Sequence, residues 1–284
     1  MNIKKIIVVG AGTMGLGIAQ VAAQHGYEVL LKDINLGVAE KGKQKIEDSL
    51  KRILTKGKIV EQEMNDTLQN IRCIANFDQA NKPDFIIEAV TEDMKIKKIV
   101  LKEVDQFYNS EVIIASNTTS LSITDLSSAI GRPENFIGMH FFNPVWAMKL
   151  IEITPGISTS KEIIEITKQL VQSLVKIPVI AIESPGGITS RVLGVMLNEA
   201  IFVLAEGVAS AEDIDTAMKL GASLPIGPLH LIDLIGLDVH LAKMETFCKE
   251  FGDTKYRPHP VLRKMVRAGF LGRKTGRGFF TYDK

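Results

Sequence analysis

Six residues near the start constrain this chain more than any others. Gly10-Ala11-Gly12-Thr13-Met14-Gly15 ends an apolar run at 6–9 and opens a helical pattern at 14–25. A G-x-G-x-x-G is weak alone. Here it has a strand–turn–helix setting, with Asp33 closing the next strand-like run at 28–31. Gly10 permits a tight turn, Gly12 lets backbone approach a pyrophosphate, and Gly15 lets helix and strand pack closely. The helix N-terminus offers unpaired N–H groups to phosphates. Asp33 is expected to accept hydrogen bonds from ribose hydroxyls and to repel a 2′-phosphate, so NAD is expected over NADP; Lys32 beside it weakens that preference slightly. The competing reading is a Gly-rich turn in an ordinary α/β protein.

The alternation continues through the first 180 or so residues. Strand-like pieces fall at 71–74, 85–88, 112–115, 136–141 and 150–153. Amphipathic helical patterns fall at 38–56, 61–69 and 93–107, the last with Ile96, Ile99, Val100, Val104 and Phe107 on one face. Strands alternating with helices predict a mostly parallel sheet covered on both sides. The character changes at Glu183-Ser-Pro-Gly-Gly187. Beyond it lies an unusually apolar helix at 190–207. Ser210 with Asp213 opens another helix at 211–220, and Pro228 and Pro260 fit the first turns of two more. This predicts an α/β domain over 1–183 and an all-helical domain over 184–284. A helix apolar over most of its girth is buried on more than one side. A second copy across a two-fold axis would cover it, making a homodimer; burial against the first domain is the alternative.

Composition excludes several classes. The 284 residues carry 34 basic and 33 acidic side chains with no basic block, which argues against nucleic acid. Two cysteines, Cys73 and Cys248, at no metal-like spacing predict neither a disulfide framework nor a zinc site. No run of about 18 uninterrupted apolar residues predicts a membrane span. Met1 leads straight into a strand-like run rather than a signal peptide, so a reducing cytoplasm is the expected address.

Of the five histidines, His140 stands out for its surroundings. Apolar strands flank a loop containing Asn143 and Pro144. If they pair as a hairpin centred between Val145 and Trp146, His140 lies opposite Ile151 and diagonal to Glu152. A carboxylate on an imidazole fixes its tautomer and stabilises the imidazolium, which equips the pair to move a proton on and off a hydroxyl. Ser116-Asn117-Thr118-Thr119-Ser120 follows the run at 112–115, at a strand's carboxyl end, where open α/β sheets bind ligands. Thr119 is the functional candidate there. Ser120 or Ser122 reads as the cap of a following helix.

These motifs resemble the L-3-hydroxyacyl-CoA dehydrogenase family in its short, stand-alone bacterial 3-hydroxybutyryl-CoA form. The resemblance runs over nearly the whole chain: the glycine turn, Asn117-Thr118, His140-Phe-Phe-Asn-Pro144, Met148-Lys-Leu-Ile-Glu152, Ala205-Glu-Gly-Val-Ala209, Gly227-Pro-Leu229 and Gly272-Arg-Lys-Thr-Gly-Arg-Gly-Phe279. It implies a Rossmann-type domain followed by a helical dimerisation domain. It implies His140 as general acid/base with Glu152 as partner. Asp33, Glu92, Lys97, Asn117, Asn143 and Lys274 would contact NAD, with the glycine turn, and Ser49 and Lys56 would contact coenzyme A. Four residues depart from the family pattern: Thr119 replaces a catalytic Ser, Ser190 an Asn, Gly187 a Phe and Trp146 a Pro. Ser190 stays a candidate hydrogen-bond donor to substrate.

The expected reaction interconverts a short-chain L-3-hydroxyacyl-CoA, such as 3-hydroxybutyryl-CoA, and the 3-oxoacyl-CoA. Two alternatives stay open. One is oxidation of a short polar acyl group, such as glyceryl, on an acyl carrier protein in an antibiotic extender-unit pathway; the reshaped pocket motivates it. The other is a non-catalytic NAD-binding structural protein.

Overall fold

A computed structural model of the protein describes residues 3–108 and 111–283. It divides into two compact units, Met1–Ser184 and Pro185–Lys284.

The first unit is one eight-stranded sheet with helices on both faces. Its strands are β1 (Lys5–Val9), β2 (Glu28–Lys32), β3 (Ile71–Ile74), β4 (Phe85–Glu88), β5 (Ile113–Ser116), β6 (Phe136–Phe141), β7 (Leu150–Pro155) and β8 (Ile177–Ile180). The order is β3-β2-β1-β4-β5-β6-β7-β8. All neighbours run parallel except β6 and β7. The helices are α1 (Thr13–Gln24), α2 (Leu36–Thr55), α3 (Glu61–Gln69), α4 (Met94–Phe107), α5 (Ile123–Ser127) and α6 (Lys161–Ser173). The expected Rossmann-type, mostly parallel sheet is therefore present. Period-two alternation splits its core into two layers. Ile6, Val8, Val29, Leu31, Phe85 and Ile87 face one side. Ile7, Val9, Leu30, Ile86 and Ile114 face the other. Burial on both faces is why these strands read as unbroken apolar runs.

Two elements of this first unit were not foreseen. Helix α6 is capped by Ser160, whose side chain accepts from the Ile163 N–H, and it buries Ile163, Ile166, Leu170 and Val171. Strand β8 is a four-residue edge strand that is nowhere fully buried, and Pro178 interrupts its short apolar run, which reads as a loop. The β6–β7 register also differs by one residue from the sequence expectation. His140 pairs directly with Glu152, and Phe141 with Ile151. The connecting segment closes on the Pro144 carbonyl, which accepts from both the Ala147 and Met148 N–H groups. Its turn is thus off-centre, which a symmetric hairpin does not anticipate.

The second unit is helical: α7 (Thr189–Ala205), α8 (Ala211–Gly221), α9 (Pro228–Ile235), α10 (Leu237–Phe251) and α11 (Pro260–Arg267). Ser210 caps α8 by accepting from the Asp213 N–H. Pro228 and Pro260 occupy first-turn positions. Leu197, Ile201, Ile214, Leu229, Ile232, Leu237 and Leu262 form its core. The buried Asp233 carboxylate ties down the C-terminal tail, accepting from the Phe279 and Phe280 N–H groups at 2.9 and 3.0 Å and from the Tyr282 hydroxyl at 2.9 Å. Among the described residues, no helix is long and apolar enough to cross a membrane.

His240 on α10 is fully buried, and neither ring nitrogen has a hydrogen-bond partner. Burial, helped by the Lys243 charge, pushes its pKa from 6.5 down to about 3. The ring stays neutral in the fold, while the unfolded chain takes up a proton below about pH 6.5. Folding stability therefore falls as pH falls between those values, by about 1.4 kcal/mol per unit. In urea titrations from pH 7 to pH 5, wild type should lose about 2 kcal/mol more than His240→Leu. Equal losses in the two proteins would contradict this.

Candidate active site

The site grows from the carboxyl ends of the parallel strands. Gly10 has φ +109°, and a Cβ there would lie 2.7 Å from the Ala89 carbonyl oxygen. A Cβ on Gly15 would sit 1.8 Å from the Gly10 oxygen, so helix and turn touch backbone to backbone. Gly12 is the opposite case, with nothing within 4 Å of its added carbon. Open space there, at a helix start that has no side-chain cap, leaves room and N–H donors for a phosphate group. Asp33 follows β2, and its Oδ2 accepts from the Ala11 N–H at 2.6 Å. The strand order reverses between β1 and β4, and ligands bind at such switch points. Turn, helix terminus and carboxylate fit a dinucleotide.

The His140–Glu152 pair lies along the same edge. In an antiparallel ladder, directly opposed residues project to one face. His140 Nδ1 accordingly stands 3.3 Å from Glu152 Oε2, and the Glu152 side chain is only 2% exposed. The other ring nitrogen, Nε2, is 3.3 Å from the Thr119 hydroxyl. A carboxylate at Nδ1 holds the proton there and leaves Nε2 as the base. The imidazole thus points its basic nitrogen at a hydroxyl-bearing strand end, a geometry suited to exchanging a proton with a substrate alcohol.

A second His–carboxylate pair shows why closeness alone is not enough. His230 Nδ1 is 2.6 Å from Asp215 Oδ2 in the second unit. Its ring stacks on Phe280 with centroids 3.6 Å apart. Asp215 also accepts from the Leu229 and His230 N–H groups. That pair anchors a helix start and the tail.

Several expected site residues act on the loops. Glu92 Oε1 accepts from the Thr118 hydroxyl at 2.6 Å, the Thr119 N–H at 2.9 Å and the Ser120 N–H at 3.2 Å. Asn117 Oδ1 accepts from the Phe141 N–H at 3.0 Å, next to His140. Ser122 is the cap of α5. Asn143 is exposed in the loop after β6. Ser49 and Lys56 are seven residues apart on α2 and its C-cap, two turns along one face and about 10 Å apart. Lys97, expected among the cofactor contacts, is fully buried on α4, with its ammonium 2.8 Å from Glu88 Oε1. In the second unit, Ser190 is buried in the first turn of α7, and Lys274 pairs with Asp238 at 2.6 Å. Gly186 and Gly187 take φ +79° and +54°, so the backbone itself calls for glycine where the family pattern has Phe.

One cluster escaped the sequence reading: Glu88 at the end of β4 with Ser116 opposite it on β5. A carboxylate closing an otherwise apolar strand was the available signal. Among the described residues no group of three or more His, Cys, Asp or Glu is gathered to hold a metal.

Comparison with known proteins decides the lineage. The NAD binding domain model of 3-hydroxyacyl-CoA dehydrogenase matches residues 5–184, and the C-terminal domain model matches residues 186–282. The chain belongs to the 3-hydroxyacyl-CoA dehydrogenase family. As in that family, it is an NAD-dependent dehydrogenase. It is 48% identical over 280 residues to the 3-hydroxybutyryl-CoA dehydrogenase of Clostridioides difficile, covering 99% of this chain and 100% of that one. A probable 3-hydroxybutyryl-CoA dehydrogenase of Bacillus subtilis is 44% identical over 284 residues, covering 100% and 99%. Among solved structures, (S)-3-hydroxybutyryl-CoA dehydrogenase from Ralstonia eutropha superposes with a TM-score of 0.97 at 46% identity over all of both chains. Family membership accounts for the glycine turn, the parallel sheet and the helical second unit together.

Proposed function

We propose that this chain interconverts a short-chain L-3-hydroxyacyl-CoA, 3-hydroxybutyryl-CoA being the type substrate, and the 3-oxoacyl-CoA. The observation that carries the reading is the His140–Glu152 pair, with Thr119 on the imidazole's free nitrogen. The names of the close relatives support the acyl group. Gly10, Gly12, Gly15 and Asp33 would hold the dinucleotide, with Asn117, Asn143 and Lys274 completing its surroundings. When bound, NAD supplies the hydride acceptor and NADH the donor. In oxidation, Nε2 of His140 takes the proton of the 3-hydroxyl, and Glu152 stabilises the imidazolium that forms. In reduction, the imidazolium returns that proton. Thr119, with Ser190, hydrogen-bonds the reacting oxygen or the thioester carbonyl. Ser49 and the exposed ammonium of Lys56 serve the coenzyme A phosphates as a hydroxyl and a point charge.

A homodimer is part of the proposal. Val192 on α7 and Val208 are each 69% exposed, and Leu220 is 80% exposed. An open groove of about 650 Å³ between α7 and α8 is lined by Met196, Val203 and Met218 among others. Such an uncovered apolar surface favours self-association. The proposed address is a reducing cytoplasm, supported by two cysteines that are free thiols.

Acetoacetyl-CoA with NADH, set beside a glyceryl–carrier-protein thioester with NAD, tests the reading through absorbance at 340 nm. Rapid NADH oxidation with acetoacetyl-CoA is expected. Turnover of the carrier-bound acyl group alone would transfer the assignment to that substrate. Tight NADH binding with no turnover of either would leave only a binding protein. Sedimentation of the same preparation should give about twice 31.2 kDa; a 31.2 kDa species would remove the dimer.

A further inference from the structure

Lys97 is the least expected residue in the first unit: a lysine on α4 with no exposed surface. Its ammonium lies 2.8 Å from Glu88 Oε1, 3.1 Å from the Asn117 carbonyl oxygen, 3.4 Å from the Val90 carbonyl oxygen and 3.7 Å from Glu92 Oε2. Glu88, also fully buried, uses its remaining capacity on the same loops. Its Oε1 accepts from the Val90 N–H at 2.7 Å, and its Oε2 from the Ser116 hydroxyl at 2.5 Å. The Asn117 N–H donates to the Glu88 carbonyl at 2.7 Å. One buried ion pair therefore grips the segments leaving β4 and β5.

Both segments lead to the imidazole. Asn117, held at its carbonyl by Lys97, fixes the Phe141 N–H with its side chain, one residue from His140. Glu92, in the other segment, fixes the Thr119 N–H, and the Thr119 hydroxyl stands at His140 Nε2. Burying two charges brings little net stability, and an apolar pair of the same volume often does as well. What an apolar pair cannot supply is the set of directed bonds to three loop carbonyls and N–H groups. Burial also raises the Glu88 pKa, and Lys97 with its hydrogen bonds pulls it back only in part, so the carboxylate depends on its partner for its charge.

We infer that Glu88 and Lys97 are positioning residues: from beneath the crevice they set the placement of Asn117 and Thr119, and through them the orientation of His140. This rests on the reading of His140 as the acid/base. A displaced base loses rate while substrate binding survives, and a shift of about 1 Å costs up to roughly 100-fold.

The test uses the full chain carrying Glu88→Gln together with Lys97→Met, which removes both fully buried charges; Glu92, the ammonium's neighbour at 3.7 Å, keeps its charge at a partly exposed position. Melting temperature, NADH affinity, kcat and KM for acetoacetyl-CoA reduction, and the ring nitrogen resonances of His140 are measured. A fall in kcat of about 10- to 100-fold is expected, with KM changed less than about threefold and the His140 resonances moved. A pair that only stabilised the fold would lower the melting temperature while kcat per folded molecule and the resonances stayed put; that result overturns the inference. If the double variant does not fold, Glu88→Gln alone is read by the same criteria. His140→Ala runs alongside. Should it keep turnover, the functional reading fails; should it be dead while the double variant keeps full kcat, only the positioning role fails.

Discussion

Replacing His140 with Ala is expected to lower kcat by about 10³- to 10⁴-fold in either direction while NADH still binds with nearly unchanged affinity. Among the described residues the ring is the only imidazole along the strand ends where Asp33 and the glycine turn also lie, and both of its nitrogens are engaged there, by Glu152 and by Thr119. None of the groups expected to hold the dinucleotide is removed by the change. Fluorescence titration with NADH and steady-state rates with acetoacetyl-CoA check the two halves separately. Substantial residual turnover would take His140 out of the proton transfer, and with it the role given to Glu152.

The second large effect is steric. In Gly15→Ala the new methyl would need to occupy a point 1.8 Å from the Gly10 oxygen and 2.9 Å from the Gly10 carbonyl carbon. Both are backbone atoms of the turn itself, so no side chain can swing aside. Overpacking of this kind costs about 1–3 kcal/mol or more, and the turn must open to relieve it. A loss of NADH affinity of about 100-fold or more should accompany a clearly lower melting temperature. Gly12→Ala makes the control. Its methyl meets nothing within 4 Å, so the fold should melt as wild type does while the methyl obstructs the approaching pyrophosphate. Equal melting temperatures for the two variants would contradict this division of labour.

The glycine turn and the β-branched runs were legible because each answers to local sterics and two-sided burial, which a sequence displays directly. The helix starts at Ser210, Pro228 and Pro260 were legible for the same local reason. The His140–Glu152 partnership was legible in kind, but its register came out one residue away, since an off-centre turn leaves no mark on the flanking apolar pattern. Strand β8 stayed hidden because a short, proline-bearing edge looks like a loop. For the Glu88–Lys97–Ser116 cluster only the carboxylate closing β4 was legible. Its members come from β4, α4 and β5, and nothing in the spacing of 88, 97 and 116 predicts that they converge.

The hairpin joining β6 to β7 has a practical consequence. His140 and Glu152 stand on separate strands, so the length of the intervening span sets whether they meet. That span is also moored from below: the Lys176 amine donates to the Val145 and Met148 carbonyls at 2.7 and 2.8 Å, while the Trp146 side chain is exposed. Adding or deleting a single residue between 142 and 149 would rotate one partner to the opposite face of the sheet. Side chains on this span, Trp146 among them, can therefore be exchanged only while its residue count stays fixed.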